Sequence, residues 1–238
     1  MTTTDSFPTR AESALLAAVR RSWMRGSMMM EPSVGRGVDL SSAFDSTMGV
    51  LRKVEPHDLA KPTPCASWDV QALINHIISA ARWWAAMVSG DPGLESAEGA
   101  DYVGADGGNV DGNDGGNVGG GDFVAAYEES IRVTLGAFGA PGAAERMVTV
   151  PFGKFPGAAL AQFAATDQFT HGWDLARALG QDTDLVPELA VALLGLAEVS
   201  ITDALRGPDT EASFGPERVA PDGACPADRL AAYLGREV

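Results

Sequence analysis

The sequence predicts an all-α, bundle-like domain, and three observations carry that reading. Four or five stretches of about 16 to 22 residues place apolar side chains at helical spacing between recognisable caps. Strand signal is confined to one short alternating run at 147–151. At 238 residues with 45 % hydrophobic content and a mean hydropathy of +0.00, the chain can bury a full core without disulfides or a structural metal.

Residues 1–37 stand apart: five arginines against three acids give a net charge of +2, with a stretch at 11–23 able to form a short helix. The run at 25–37 is breaker-rich and has no periodicity, so 1–37 reads as a flexible N-terminal extension; a targeting or partner-binding arm is the other reading. The domain then runs over 38–238. Residues 38–53 carry apolar positions at 40, 44, 48, 50 and 51. After a polar connection, Asp69 is a good N-cap for a long helix reaching about Ser89, with Leu73, Ile77, Trp84 and Met87 on its apolar face. The Gly/Asp-rich stretch 101–121 repeats DGGNV at 106–110 and 114–118. It has neither the nonapeptide of a calcium β-roll nor the acid spacing of an EF-hand, and reads as a disordered insertion. A third helix is expected over 123–138, closed by Gly139. The fourth spans 158–179 with Gly180 as its cap, the fifth covers 185–205, and a short helical turn occupies 227–234.

Charge narrows the partners. Lys and Arg total 17 against 32 Asp and Glu, a net of −15, so 38–238 carries −17. Such a surface repels phosphate backbones and anionic lipid heads, so neither nucleic acid nor membrane is expected. No run is apolar and long enough to span a bilayer, and the apolar run at 14–19 is too short for a signal-peptide core. Cys65 and Cys225, 160 positions apart, form no ligand or disulfide framework, and a reduced, cytoplasmic compartment is the expectation.

Only three histidines can be weighed. His57 sits in a polar connection and reads as a solvated surface group. His76 lies mid-helix, on the stripe of Leu73, Ala80 and Trp83. His171 follows Asp167 by four residues, so carboxylate and imidazole share one helix face and can converge on an ion; Asp174 follows on the same side at i+7. Each also has a bland role: Asp167 as a surface acid and His171 as a hydrogen-bonded core histidine, while Asp174 either orients a ligand from behind or pairs with Arg177. Cys65 near a helix start is either reactive or a small buried residue. Trp68, Trp83, Trp84 and Trp173 are core residues or pocket walls. Arg82 is a surface ion-pair former or a recogniser of anions. No G-x-S-x-G, P-loop or H-E-x-x-H motif occurs.

Thr63-Pro64-Cys65-Ala66-Ser67-Trp68-Asp69-Val70, followed by Leu73-Ile74-Asn75-His76, resembles the first signature of the actinobacterial DinB/YfiT-like proteins, relatives of the mycothiol-dependent maleylpyruvate isomerase. Thr166-Asp167 through His171-Gly172-Trp173-Asp174-Leu175-Ala176-Arg177 resembles the second signature, and Asp228-Arg229-Leu230 through Leu234-Gly235-Arg236 a common ending. The similarity covers about 38–236, apart from the insertion. It implies a DinB-like four-helix bundle with short additional helices, holding a divalent metal through one histidine of an early helix and two ligands of a later one. Carried over, the ligands are His76, Asp167 and His171. The isomerase commonly has Glu where Asp167 stands, so the metal would sit nearer that helix or take a water there. The isomerase also carries a sizeable C-terminal domain, whereas only about 30 residues follow the last long helix here, so a different substrate is expected.

Three protein ligands leave coordination positions open, as catalytic sites require. Two imidazoles and a carboxylate suit Zn²⁺ and also admit Ni²⁺, Fe²⁺ or Mn²⁺. A thiol at such a metal is deprotonated near neutral pH, and the resemblance suggests mycothiol as that thiol. The leading expectation is a cytoplasmic, metal-dependent transferase or isomerase that uses a low-molecular-weight thiol on a small-molecule substrate. A metal-dependent hydrolase and a non-catalytic metal- or ligand-binding bundle are the alternatives, and a homodimer is compatible with all three.

Overall fold

The computed structural model describes residues 38–104, 122–208 and 212–238. The expected extension 1–37 and most of the Gly/Asp-rich insertion lie outside the described residues. The first three long helices begin where an aspartate supplies a side-chain cap. Asp39 accepts from the backbone N–H groups of Ser41 and Ser42 to start α1 (Leu40–Leu51). Asp69 accepts from Ala72 to start α2 (Val70–Ser89), and Asp122 from Ala125 to start α3 (Phe123–Phe138). The fourth helix, α4 (Gly157–Leu179), has no side-chain cap; it issues from a hairpin and ends on Gly180, whose φ of 66° closes the helix in the left-handed region.

That hairpin pairs β1 (Met147–Val150) with β2 (Gly153–Pro156) in antiparallel register, Val148 opposite Phe155. It adds a small sheet to the expected all-α architecture, and it grows from the one stretch whose period is two. Helix α5 (Pro187–Ser200) stops short of the expected 205; a separate 3₁₀ turn, Asp203–Leu205, follows it. Helix α6 (Pro226–Tyr233) closes the chain. Helix α1 packs on α4, α3 on α2, and α2 on α4, while α6 packs on both α5 and α4. The result is a helical bundle with a hairpin and C-terminal helices attached, rather than a plain four-helix bundle. No described helix is long and apolar enough to cross a membrane.

The core is one cluster reaching from Leu40 on α1 to Leu234 beyond α6, with Phe44, Ile74, Ile77, Tyr127, Phe169 and Trp173 among its fully buried members. Helix α4 runs through its middle and is buried along most of its length. Residues 101–104 depart from the expected unanchored insertion. Asp101 accepts from the side chains of Asn75 and Gln71, the Tyr102 N–H donates to Asn75 Oδ1, and Val103 is buried. This pins the segment to α2 beside His76.

The close approach of α1 and α4 is set at Gly172, where a Cβ would stand 2.3 Å from Thr47 Oγ1 and 3.1 Å from its Cα. In an open helix, Gly→Ala stabilises by about 1 kcal/mol. Gly172→Ala is therefore expected to act in the opposite direction, destabilising by about 1–3 kcal/mol through overpacking, as read by urea denaturation; a stabilised variant would show that the two helices are not locked there.

Candidate metal centre

Helix periodicity places Asp167, His171 and Asp174 along one face of α4, and His76 faces them from α2. The Asp167 Oδ1 atom lies 3.6 Å from His76 Nε2 and 3.6 Å from His171 Nε2. One ligand atom from each of the three residues falls within 4.8 Å of the other two. The imidazole planes meet edge to face with centroids 4.7 Å apart. His76 Nε2 is buried and has no hydrogen-bond partner, an expensive condition for a polar atom unless something else partners it.

The supporting contacts leave one oxygen of Asp167 committed and the other free. Oδ2 accepts from Gln168 Nε2 at 3.1 Å and faces the indole N–H of Trp84 at 3.5 Å. Gln168 is itself fully buried; its Oε1 accepts from Tyr127 Oη at 2.7 Å and its Nε2 donates to the Ile77 carbonyl at 3.2 Å. Burial pushes the Asp167 carboxyl up. The facing imidazole of His76, the charge of His171 and the Trp84 N–H outweigh that push and hold it below its ordinary value.

On the far side of His171, Nδ1 lies 3.0 Å from Asp174 Oδ2, and Asp174 is gripped by Arg236 through Nε and Nη2 at 3.2 and 3.1 Å. Asp174 therefore orients His171 and pairs with Arg236; Arg177, its expected alternative partner, is exposed. Cys65 is also on this side, half-buried, donating to Asp174 Oδ2 at 3.3 Å with Arg236 Nη2 at 3.8 Å. Cys65, His171 and Asp174 form a second group of ligand-type atoms within 4.8 Å of one another, but the guanidinium already supplies its positive charge.

The remaining candidates sort themselves by position. His57 is exposed, between Glu55 and Asp58. Arg82 lies near α3, where its charge adds to that of Arg132 in lowering the Glu129 carboxyl. Trp173 is core and donates to Asp228 Oδ1 at 2.9 Å. Trp68 is half-buried and stacks on His76 with centroids 4.4 Å apart. Trp83 and Trp84 join Phe152, Phe155 and Phe163 in an aromatic cluster that reaches the site through Trp84. Sequence reasoning gave no role to Gln168 or Arg236. Nothing local marks a glutamine beside Asp167 as its support, and Arg236 is 62 residues from the carboxylate it grips.

Asp174 is fully buried. Burial raises its carboxyl, but the charge of Arg236 and the hydrogen bond from His171 hold it far below the ordinary carboxylate range. A depressed folded-state pKa contributes stability that is complete above the unfolded value near 3.9 and is lost as pH falls through the folded value. Asp174→Asn, which leaves Arg236 buried and unpaired, is expected to cost about 3–5 kcal/mol at neutral pH. In urea denaturation at stepped pH, the deficit should stay level down to about pH 4 and narrow below it; a deficit that grows on acidification would contradict the assignment.

The mycothiol maleylpyruvate isomerase N-terminal domain matches residues 40–176, a span that contains His76, Asp167, His171 and Asp174. Two relatives, both named as uncharacterized proteins of Mycobacterium tuberculosis (strains CDC 1551 / Oshkosh and ATCC 25618 / H37Rv), are each 34% identical over 200 residues, covering 82% of this chain and 94% of their own. No solved structure matches the chain. With its helical bundle and its clustered ligand-type side chains, the chain belongs to the family of the mycothiol maleylpyruvate isomerase N-terminal domain.

Proposed function

We propose that the protein is a metal-dependent transferase or isomerase that uses a low-molecular-weight thiol of the mycothiol type, with His76, Asp167 and His171 holding a divalent ion, Zn²⁺ in the first place. The observation that carries this reading is the unpartnered, buried Nε2 of His76 facing the free oxygen of Asp167 and the Nε2 of His171. The donor set fits such an ion. Ligand atoms of a tetrahedral site with bonds of 2.0–2.2 Å lie about 3.4 Å apart, close to the 3.6 Å separations here. Two imidazoles and one carboxylate also leave a position open for an incoming group.

When bound, the ion lowers the pKa of a thiol and so supplies a thiolate nucleophile near neutral pH. The chain's own residues do the rest. Gln168 and Trp84 fix the Asp167 carboxylate so that one oxygen is presented to the site. Trp68 covers the His76 ring and lies 5.6 Å, centroid to centroid, from that of His171, reducing water access on that side. The aromatic cluster behind Trp84 gives the electrophile an apolar wall. Cys65, on the Nδ1 side of His171, is turned away from the Nε2 face and is not the nucleophile in this reading.

Metal analysis and single-turnover conjugation with and without mycothiol test the proposal. Wild type should bind one equivalent of zinc and turn over only with thiol. His76→Ala and His171→Ala should remain folded, lose zinc and lose at least 100-fold in activity, the scale on which metal activation acts. Asp167→Glu, which installs the acid usual in the isomerase, should keep the metal, and Cys65→Ser should stay within about threefold of wild type. Full activity in chelator-treated protein, or loss in Cys65→Ser alone, would move the chemistry to a cysteine. Turnover without thiol would favour hydrolysis instead.

A further inference from the structure

We infer that the C-terminal segment beyond the matched family domain is a working part of the centre: Arg236, acting through Asp174, positions His171 by holding the ring proton on Nδ1 so that the Nε2 lone pair is presented to the site. The inference builds on the reading of His171 as a ligand, but its first test needs no metal.

The proton assignment follows from hydrogen-bond chemistry. Asp174 is an ionised carboxylate and can only accept, so the His171 nitrogen 3.0 Å from Oδ2 must be the donor. A neutral imidazole that donates from Nδ1 has its lone pair on Nε2, the atom 3.6 Å from Asp167 Oδ1. Free imidazole side chains favour the opposite tautomer, so the carboxylate must impose this one, and it can do so only if its own orientation is fixed.

Arg236 fixes it. Nε reaches Oδ1 and Nη2 reaches Oδ2, a planar fork that sets the carboxylate plane, and Nη1 donates to the Leu234 carbonyl at 3.2 Å. The segment that delivers Arg236 is itself built to a fixed position. Gly235, with φ 97°, turns the chain there, and a Cβ on it would stand 2.6 Å from the Gly215 Cα. Arg218 Nε donates to the Gly235 carbonyl at 3.0 Å, and Arg206 Nη1 donates to the carbonyls of Gly215 and Tyr233 at 3.0 and 2.7 Å. Every one of these residues lies outside 40–176. A buried ion pair adds little stability over an apolar replacement, so fixing one orientation of His171 gives this pair a purpose that stability alone does not.

The test is a long-range ¹H–¹⁵N correlation spectrum of the metal-free, full-length protein at about pH 8, where an ordinary imidazole is neutral, with zinc titrations in parallel. Wild type is expected to show His171 protonated on Nδ1. Arg236→Gln should shift it toward a mixture with the Nε2–H form and weaken zinc binding about 10- to 100-fold, the usual effect of losing an outer partner of a ligand histidine. Arg236→Lys, which keeps the charge but loses the fork, should fall between the two. A proton on Nε2 of His171 in wild type overturns the inference without any variant, and this holds even if Arg236→Gln fails to fold. An unchanged tautomer and unchanged zinc affinity in folded Arg236→Gln and Arg236→Lys also overturn it. Tautomer shifts in the variants with no zinc bound by wild type would support the positioning role and reject the metal reading, so the two failures are separable.

Discussion

One buried amide holds the centre of this molecule together. Gln168 accepts from Tyr127 on α3, donates to the Ile77 carbonyl on α2 and to Asp167 on its own helix, while its backbone carbonyl takes the Thr47 hydroxyl from α1. With no exposure to water, each of these bonds must be made, because an unpaired buried amide costs far more than a net hydrogen bond returns. The rotation of α4 about its axis is fixed in this way. Gly172 lets α1 approach on the same side. Once Gln168 and Gly172 point into the bundle, the i, i+4, i+7 face of Asp167, His171 and Asp174 has to turn toward His76 and the C-terminal segment.

That geometry arranges charge as well as atoms. His171 stands between two carboxylates: Asp167 faces its Nε2, and Asp174 takes its Nδ1. The rear carboxylate is neutralised by Arg236, so the ring is oriented without a surplus negative charge behind it. The front carboxylate has no cation of that kind at hydrogen-bond distance among the described residues. Two imidazoles face its Oδ1 at 3.6 Å, and its Oδ2 takes the N–H groups of Gln168 and Trp84. A site with a satisfied rear and an unsatisfied front is what a resident cation would complete.

Much of this was legible in the sequence. The cap at Asp69 and the glycine stop at Gly180 read as helix ends, because capping is a local event written within three residues; Asp39 and Asp122 cap in the same way but are not singled out from the sequence. The Asp167–His171 pair was readable from helix spacing alone, whereas His76 needed the family resemblance, since nothing on one helix reveals what faces it. Gly172 could be seen as a glycine but not as a contact with Thr47. Arg236 was the least legible: its bond to Asp174 spans 62 positions and depends on a Gly215–Gly235 approach that no local pattern encodes. The hairpin was half visible as an alternating run, and the anchoring of Tyr102 and Val103 through Asn75 was hidden by the glycine-rich composition that follows.

The ligand set itself is open to direct observation by X-ray absorption at the zinc edge of the loaded protein, free of added thiol. The expected spectrum contains nitrogen and oxygen scatterers with the multiple-scattering signature of two imidazoles and no sulfur. A sulfur scatterer at about 2.3 Å would place Cys65 or Cys225 on the metal and contradict the assignment of His76, Asp167 and His171.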